Sequence, residues 1–214
     1  MVTPYYQDSY VTIYHGDCRE ILPELPKVDL VLTDPPYGIG KDGQKQSTGG
    51  HGGRKGYEFM GWDNMRPDKS TFDIIRNSSV NQIIWGGNYF ADMLPATSKW
   101  LVWDKGQRIN QSDGELAWTS YDGALRIYTI NRVELMIDNA QHPTQKPIKL
   151  FAKIIADYSE SGQTLLDPFL GSGTTCYCAK KLNRHSIGIE IEEKYCEIAA
   201  KRCSQGVFDL RGNS

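Results

Sequence analysis

Ten residues, Val28-Asp29-Leu30-Val31-Leu32-Thr33-Asp34-Pro35-Pro36-Tyr37, restrict the fold more than any other stretch of the chain. Four of the first five are apolar, and the run stops at a carboxylate and two prolines. A short apolar run bounded by breakers reads as a buried strand. Strands covered on both faces carry continuous apolar runs rather than alternation, the habit of parallel sheets held between two layers of helix. Ligands of such open sheets lie just past the carboxyl ends of the strands, where Asp34 stands. Pro35 and Pro36 fix φ and bring no N–H. The loop is therefore stiff and offers carbonyl acceptors, one carboxylate and the Tyr37 ring. That set suits a planar amine, with acceptors for its N–H groups and a ring to stack on its face. An acid followed by two prolines also serves as a plain strand-ending turn, so the rest of the chain has to decide.

A second loop, Asp167-Pro168-Phe169-Leu170-Gly171-Ser172-Gly173-Thr174-Thr175, follows the strand Thr164–Asp167 and opens a helix. In that setting glycines let the backbone approach a ligand, and the first N–H groups of the helix face it. The loop lacks the lysine of a phosphate-binding P-loop. Cys176 stands where a dinucleotide fingerprint has its third glycine, so neither a polyphosphate nor a pyrophosphate cofactor is the best reading. Glu190 closes the next strand, about 20 residues on, where an acid accepts from ribose hydroxyls. One acid at the loop and another for a ribose fit a cationic nucleoside with an α-amino group. S-adenosylmethionine is such a ligand.

Between these loops strands alternate with helices, which implies a mostly parallel α/β sheet. Strands are expected at Val11–His15, Gln82–Trp85, Lys99–Lys105, Leu116–Ser120, Ala124–Ile130 and Ser186–Ile191. Helices are expected at Cys18–Leu25, Thr71–Ser79, Tyr89–Leu94, Ile148–Tyr158, Thr174–Leu182 and Glu192–Cys203. Two regions depart from the alternation. Residues 38–66 read as a glycine-rich flexible insertion, with eight glycines between Gly38 and Glu58. Residues 105–123 are the second, with the polar loop Gln107–Ser112 at their start.

The 214 residues suit one domain, and the net charge of −2 excludes a bulk-basic nucleic-acid binder, so any positive surface is local. Five cysteines without a secretory leader point to free thiols in the cytoplasm, and no Cys/His spacing suggests a metal. No apolar run reaches bilayer-spanning length. None of the four histidines reads as a ligand or base.

Taken together, Asp17 in the Gly16-Asp17-Cys18 turn, Asp34 to Tyr37, Ile84 to Phe90, His142 to Pro147, Asp167 to Thr175 and Glu190 follow one order. That order resembles the β group of DNA amino-methyltransferases, in which the catalytic loop precedes the cofactor loop. The resemblance covers nearly the whole chain. It implies a single domain, residues 1–214, with a Rossmann-like methyltransferase fold: a mostly parallel seven-stranded sheet with one antiparallel strand, in circularly permuted order. It implies S-adenosyl-L-methionine as cofactor. Asp17 and Cys18 would lie near the adenine, Glu190 would hold the ribose, and Asp167, Phe169, Gly171, Ser172, Gly173 and Thr174 would line the methionine end. Asp34 would sit beside the methyl donor, and Lys146 would close over the methionine.

The resemblance also names the chemistry. Asp34, Pro35, Pro36 and Tyr37 would form the catalytic loop. Asp34 and the Pro35 carbonyl would accept from a nucleobase amine, and Tyr37 would stack on a flipped base. No cysteine lies in a Pro-Cys loop, so ring-carbon methylation is not expected. An Asp rather than a Ser at the first loop position goes with adenine N6. Lys41, Lys45, Arg54, Lys55, Lys105 and Arg108 are the candidate phosphate contacts, and Gln107, Asn110 and Gln111 could reach base edges. The expected partner is DNA rather than a membrane, and a homodimer stays open. The alternatives are cytosine-N4 methylation of DNA, glutamine methylation of a protein, and a catalytically silent DNA-binding module.

Overall fold

A computed structural model describes residues 2–40, 66–107, 112–131 and 146–205. Its strands are β1 (Tyr6–Gln7), β2 (Val11–His15), β3 (Val28–Thr33), β4 (Ser79–Trp85), β5 (Leu101–Asp104), β6 (Gly114–Thr119), β7 (Arg126–Thr129), β8 (Thr164–Asp167) and β9 (His185–Glu190). Its helices are α1 (Cys18–Ile21), α2 (Lys69–Asn77), α3 (Ile148–Tyr158), α4 (Thr174–Lys181) and α5 (Glu193–Ser204). Among the described residues the strands form one sheet in the order β1-β2-β9-β8-β3-β4-β6-β5-β7. From β2 to β4 all neighbours are parallel, and β6 runs antiparallel to both β4 and β5. That is the expected arrangement, enlarged by one strand at each edge. The β1 edge is made by Asp8, whose Oδ1 accepts the Tyr10 and Val11 N–H groups at 2.8 Å each and turns the chain back antiparallel onto β2. At the other edge β7 runs parallel to β5.

The apolar run in β3 is buried from two sides. Leu30 and Leu32 pack with Leu150, Phe151, Ile154 and Ile155 of α3, while Val31 packs with Ile75 of α2 and Cys18 and Ile21 of α1. Helix α3 can cover the sheet because its apolar residues fall at spacings of one and four, a stripe on one face. Helix α2 starts where Asp68 Oδ1 accepts the Thr71 N–H at 2.8 Å, a side-chain N-cap. Helix α4 starts at Gly173, where φ is +80° and a Cβ would stand 2.8 Å from the Cβ of Ala199 on α5. Only glycine lets the loop lie that close to α5.

One expectation changes. The helix expected over Tyr89–Leu94 is replaced by a 3₁₀ turn, Gly87–Tyr89, and further turns. Six residues before Pro95 are too few to hold a helix on propensity alone. Phe90 and Leu94 are instead drawn into a core with Phe72, Ile84 and Trp118. The 105–123 region contains β6, whose Ala117, Trp118 and Thr119 are buried inside the sheet. Nearly all of the 38–66 insertion lies outside the described residues.

The parallel strands all end at the same edge of the sheet. In spatial order that edge carries Asp17 after β2, Glu190 ending β9, Asp167 ending β8, Asp34 after β3 and Gly86 after β4. Residues from both ends of the sequence thus meet along one line.

Candidate active site

A cleft of about 610 Å³ runs along that edge. Ligand sites of small molecules and cofactors commonly span about 300–1,000 Å³. Asp17, Cys18, Glu190 and Ile191 line one part, the 169–175 loop its floor, and Asp34, Pro36 and Lys146 the other part.

The floor is set by Asp167. Its carboxylate accepts from Thr33 Oγ1 at 2.7 Å, Thr175 Oγ1 at 2.6 Å and the Phe169 N–H at 3.2 Å. Burial pushes its pKa up to about 6, with those three donors pulling the other way. The Thr33 bond ties the end of β3 to the end of β8, and so fixes the two loops relative to each other. Glu190 Oε2 accepts the Gly171 N–H at 2.7 Å, and Oε1 accepts the Glu192 N–H at 3.0 Å. Each oxygen keeps a further lone pair for a ligand. Burial raises Glu190 to about 7 against those two bonds. Asp17 caps α1 through the Arg19 N–H at 2.8 Å and also holds the Arg19 guanidinium. Cys18 is buried against the cleft.

The target side is built around Asp34. Tyr37 donates its hydroxyl to Asp34 Oδ1 at 2.5 Å, and the Lys146 ammonium contacts Asp34 Oδ2. The same ammonium lies 3.1 Å from Glu115 Oε2 on β6 and 3.3 Å from the Tyr37 hydroxyl. Glu115 Oε1 is in turn 2.8 Å from Lys105 Nζ. Burial raises the Asp34 carboxyl, opposed chiefly by Lys146. Burial opposes the charge of Lys146 too, but Asp34 and Glu115 outweigh it and keep the ammonium protonated. Glu115 is held down at about 2 by Lys146 and Lys105 in spite of its burial. The Tyr37 ring stacks on Tyr89, with centroids 4.8 Å apart and planes at 17°.

Most of the expected residues therefore meet at one cleft: Asp17, Cys18, Asp34, Pro36, Asp167, Phe169, Gly171, Ser172, Thr174 and Glu190 all line it. Two expected cations are paired within the protein. Lys105 is 5% exposed, paired with Glu115 and 5.0 Å above the Trp103 ring. Lys146 lines the cleft, with its ammonium against Asp34 and Glu115. Lys41, Lys45, Arg54, Lys55, Arg108, Asn110 and Gln111 lie outside the described residues. The sequence reading missed Thr33, Thr175, Glu115 and Arg66. Arg66 lines the cleft, bonds the Tyr89 carbonyl at 2.7 Å and grips Asp92. Of these only Thr33 and Thr175 carry a local signal, as hydroxyls flanking the two loops.

The chain is similar to known DNA methyltransferases. The family model for N6/N4-directed methyltransferases, described as DNA methylase, matches residues 76–201. The Type II methyltransferase M.ScaI of Streptomyces caespitosus is 28% identical, over 93% of this chain and 83% of that protein. M.HinfI of Haemophilus influenzae is also 28% identical, over 91% and 68%. A crystal structure of the M1.HpyAVI–SAM complex shares 26% identity and a TM-score of 0.61, covering 90% of this chain and 99% of that one. The cytosine-N4-specific PvuII DNA methyltransferase shares the fold at a TM-score of 0.63 with 17% identity. With a match over more than half its length, and with the acid-Pro-Pro-Tyr loop and the glycine loop joined at one cleft, the chain belongs to the N6/N4 DNA methylase family.

Proposed function

We propose that this DNA methylase moves a methyl group from S-adenosyl-L-methionine to the exocyclic N6 of an adenine flipped out of the duplex. The observation that carries the reading is the partly buried Asp34 carboxylate, charge-paired and lining the cleft just past the end of β3. The cleft fits the cofactor: its size suits a nucleoside with an amino-acid tail, and the partly buried Glu190 and the buried Asp167 are acceptors along its length. When bound, the cofactor supplies an electrophilic sulfonium methyl. Asp34 and the Pro35 carbonyl accept the two amine hydrogens, which frees the nitrogen lone pair from the ring. The stiff loop holds that nitrogen in line, and alignment of this kind is worth roughly 7–11 kcal/mol. Tyr37 stacks on the base, and Asp34 is placed to take the proton released as the N–C bond forms. Lys41, Lys45, Arg54, Lys55 and Arg108 meet phosphates, so their loss flattens the salt dependence of DNA binding. An Asp at the first loop position supports adenine over cytosine. Nucleosides from DNA of cells expressing the protein test this by mass spectrometry. N6-methyldeoxyadenosine is the expected product, and N4-methyldeoxycytidine alone would overturn the adenine assignment.

Glu190 makes cofactor binding depend on pH. In the free protein it holds a proton below about 7. Ribose hydroxyls donate to the ionised form, so binding releases that proton and affinity strengthens as pH rises. The slope reaches about tenfold per unit below the pKa and flattens above it. Calorimetric titration from acid to mildly alkaline pH should show this dependence, and Glu190→Gln should remove most of it. Glu190→Ala should weaken binding by roughly 1.5–3 kcal/mol. An unchanged affinity in that folded variant argues against Glu190 as the ribose ligand.

A further inference from the structure

We infer that Lys146 is the counter-ion that holds Asp34 charged and aimed at the target amine, and that Glu115 is the positioning residue that fixes Lys146 in that place. This deepens the proposed amine mechanism and rests on it. A lysine ammonium has three N–H donors and no acceptor. Those of Lys146 face Asp34 Oδ2, Glu115 Oε2 and the Tyr37 hydroxyl. Nothing is left over for a cofactor carboxylate. Glu115 spends its second oxygen on Lys105. The row Asp34, Lys146, Glu115, Lys105 alternates in sign and sums to zero. It joins four places in the chain: the loop after β3, the residues ahead of α3, strand β6 and the end of β5.

Chemistry explains why a counter-ion is needed. A buried carboxylate without a partner takes up a proton. Protonated Asp34 would present an O–H toward an amine whose own hydrogens need acceptors. With Lys146 on Oδ2 and Tyr37 donating to Oδ1, each oxygen stays charged and keeps a lone pair for the amine. Lys146 is 5% exposed, so water does not screen it. The charged and titratable groups acting on Asp34 are Lys146, Glu115 and Tyr37, with Asp167 at the end of the neighbouring strand.

The test is the pH profile of single-turnover methyl transfer, from radiolabelled S-adenosylmethionine to unmethylated bacterial genomic DNA. The proteins are wild type, Lys146→Met, Lys146→Arg, Glu115→Gln and Asp34→Asn, with cofactor affinity and melting measured alongside. Lys146→Met should lower transfer about a hundredfold and move the acid limb up by about one unit or more, with cofactor affinity kept within severalfold. Lys146→Arg should restore the acid limb to the wild-type position at a reduced plateau. Glu115→Gln should lower the plateau about tenfold without an upward move of the acid limb. If Lys146→Met does not fold, Lys146→Arg and Glu115→Gln carry the test, and wild-type rates in both overturn the inference. Loss of cofactor affinity in Lys146→Met with an unmoved acid limb overturns it too, and returns Lys146 to the cofactor. Asp34→Asn separates the two readings. If it transfers methyl normally, the amine mechanism itself fails. If it is inactive while the lysine and glutamate variants behave as wild type, only the counter-ion inference fails.

Discussion

Asp34→Ala is expected to leave a folded protein that binds cofactor and DNA within severalfold of wild type and transfers methyl at least about 10²–10³-fold more slowly. In the proposed mechanism the carboxylate touches the reacting amine rather than the cofactor tail, so the loss is expected to fall on the chemical step. The variant also leaves Lys146 with Glu115 and Tyr37 as partners, which keeps the ammonium paired. Removing the acid leaves the Lys146–Glu115–Lys105 row with one net positive charge, so melting should fall as well, and rates are compared at a temperature where the variant is folded. Single-turnover transfer together with cofactor calorimetry checks this. A near-normal rate in the folded variant would rule out Asp34 as the amine acceptor.

Gly86→Ala is expected to cut transfer by about 10²-fold, since displacements near 1 Å at a reacting centre have that effect. Gly86 has φ +71°, and a Cβ there would lie 2.1 Å from Tyr37 Cε1. The ring has to leave, taking with it the hydroxyl that holds Asp34. The left-handed backbone adds a stability cost of about 1–2 kcal/mol. Gly106→Ala separates the two effects. Its φ is +61°, but among the described residues its Cβ would meet only Thr129, at 3.6 Å. It should lose comparable stability and keep transfer. Equal rates in the two variants would show that the Tyr37 displacement does not matter.

What could be read from the sequence was whatever is local. The β3 run and its acid-Pro-Pro-Tyr loop declare themselves within ten residues, and so does the strand-glycine-helix of Asp167 to Thr175. Burial on both faces makes β3 uniformly apolar, a pattern that survives in one dimension. The electrostatics of the cleft do not survive. Lys105 reads as a solvated cation because its partner Glu115 is ten residues away across a hairpin. Lys146 is separated from Asp34 by 112 positions, and Thr33 from Asp167 by 134. No spacing rule reaches so far. Tyr89–Leu94 failed for a related reason, since tertiary burial of Phe90 and Leu94 outweighs a short stretch of helical pattern.

The strand order has a consequence for how the chain comes to be folded. Strands β2 and β3 are consecutive in sequence, yet β9 and β8 lie between them. As the chain is synthesised, both strands wait with unsatisfied edges until Thr164–Glu190 has emerged and inserted. Pairings between such distant segments close late and slow folding. Open edges in the meantime favour association between incomplete chains. The floor of the cleft comes with that insertion, because Asp167 and Glu190 arrive on β8 and β9. A nascent chain therefore carries the acid-Pro-Pro-Tyr loop long before it can engage a methyl donor, and competence appears in one step once these two strands have inserted.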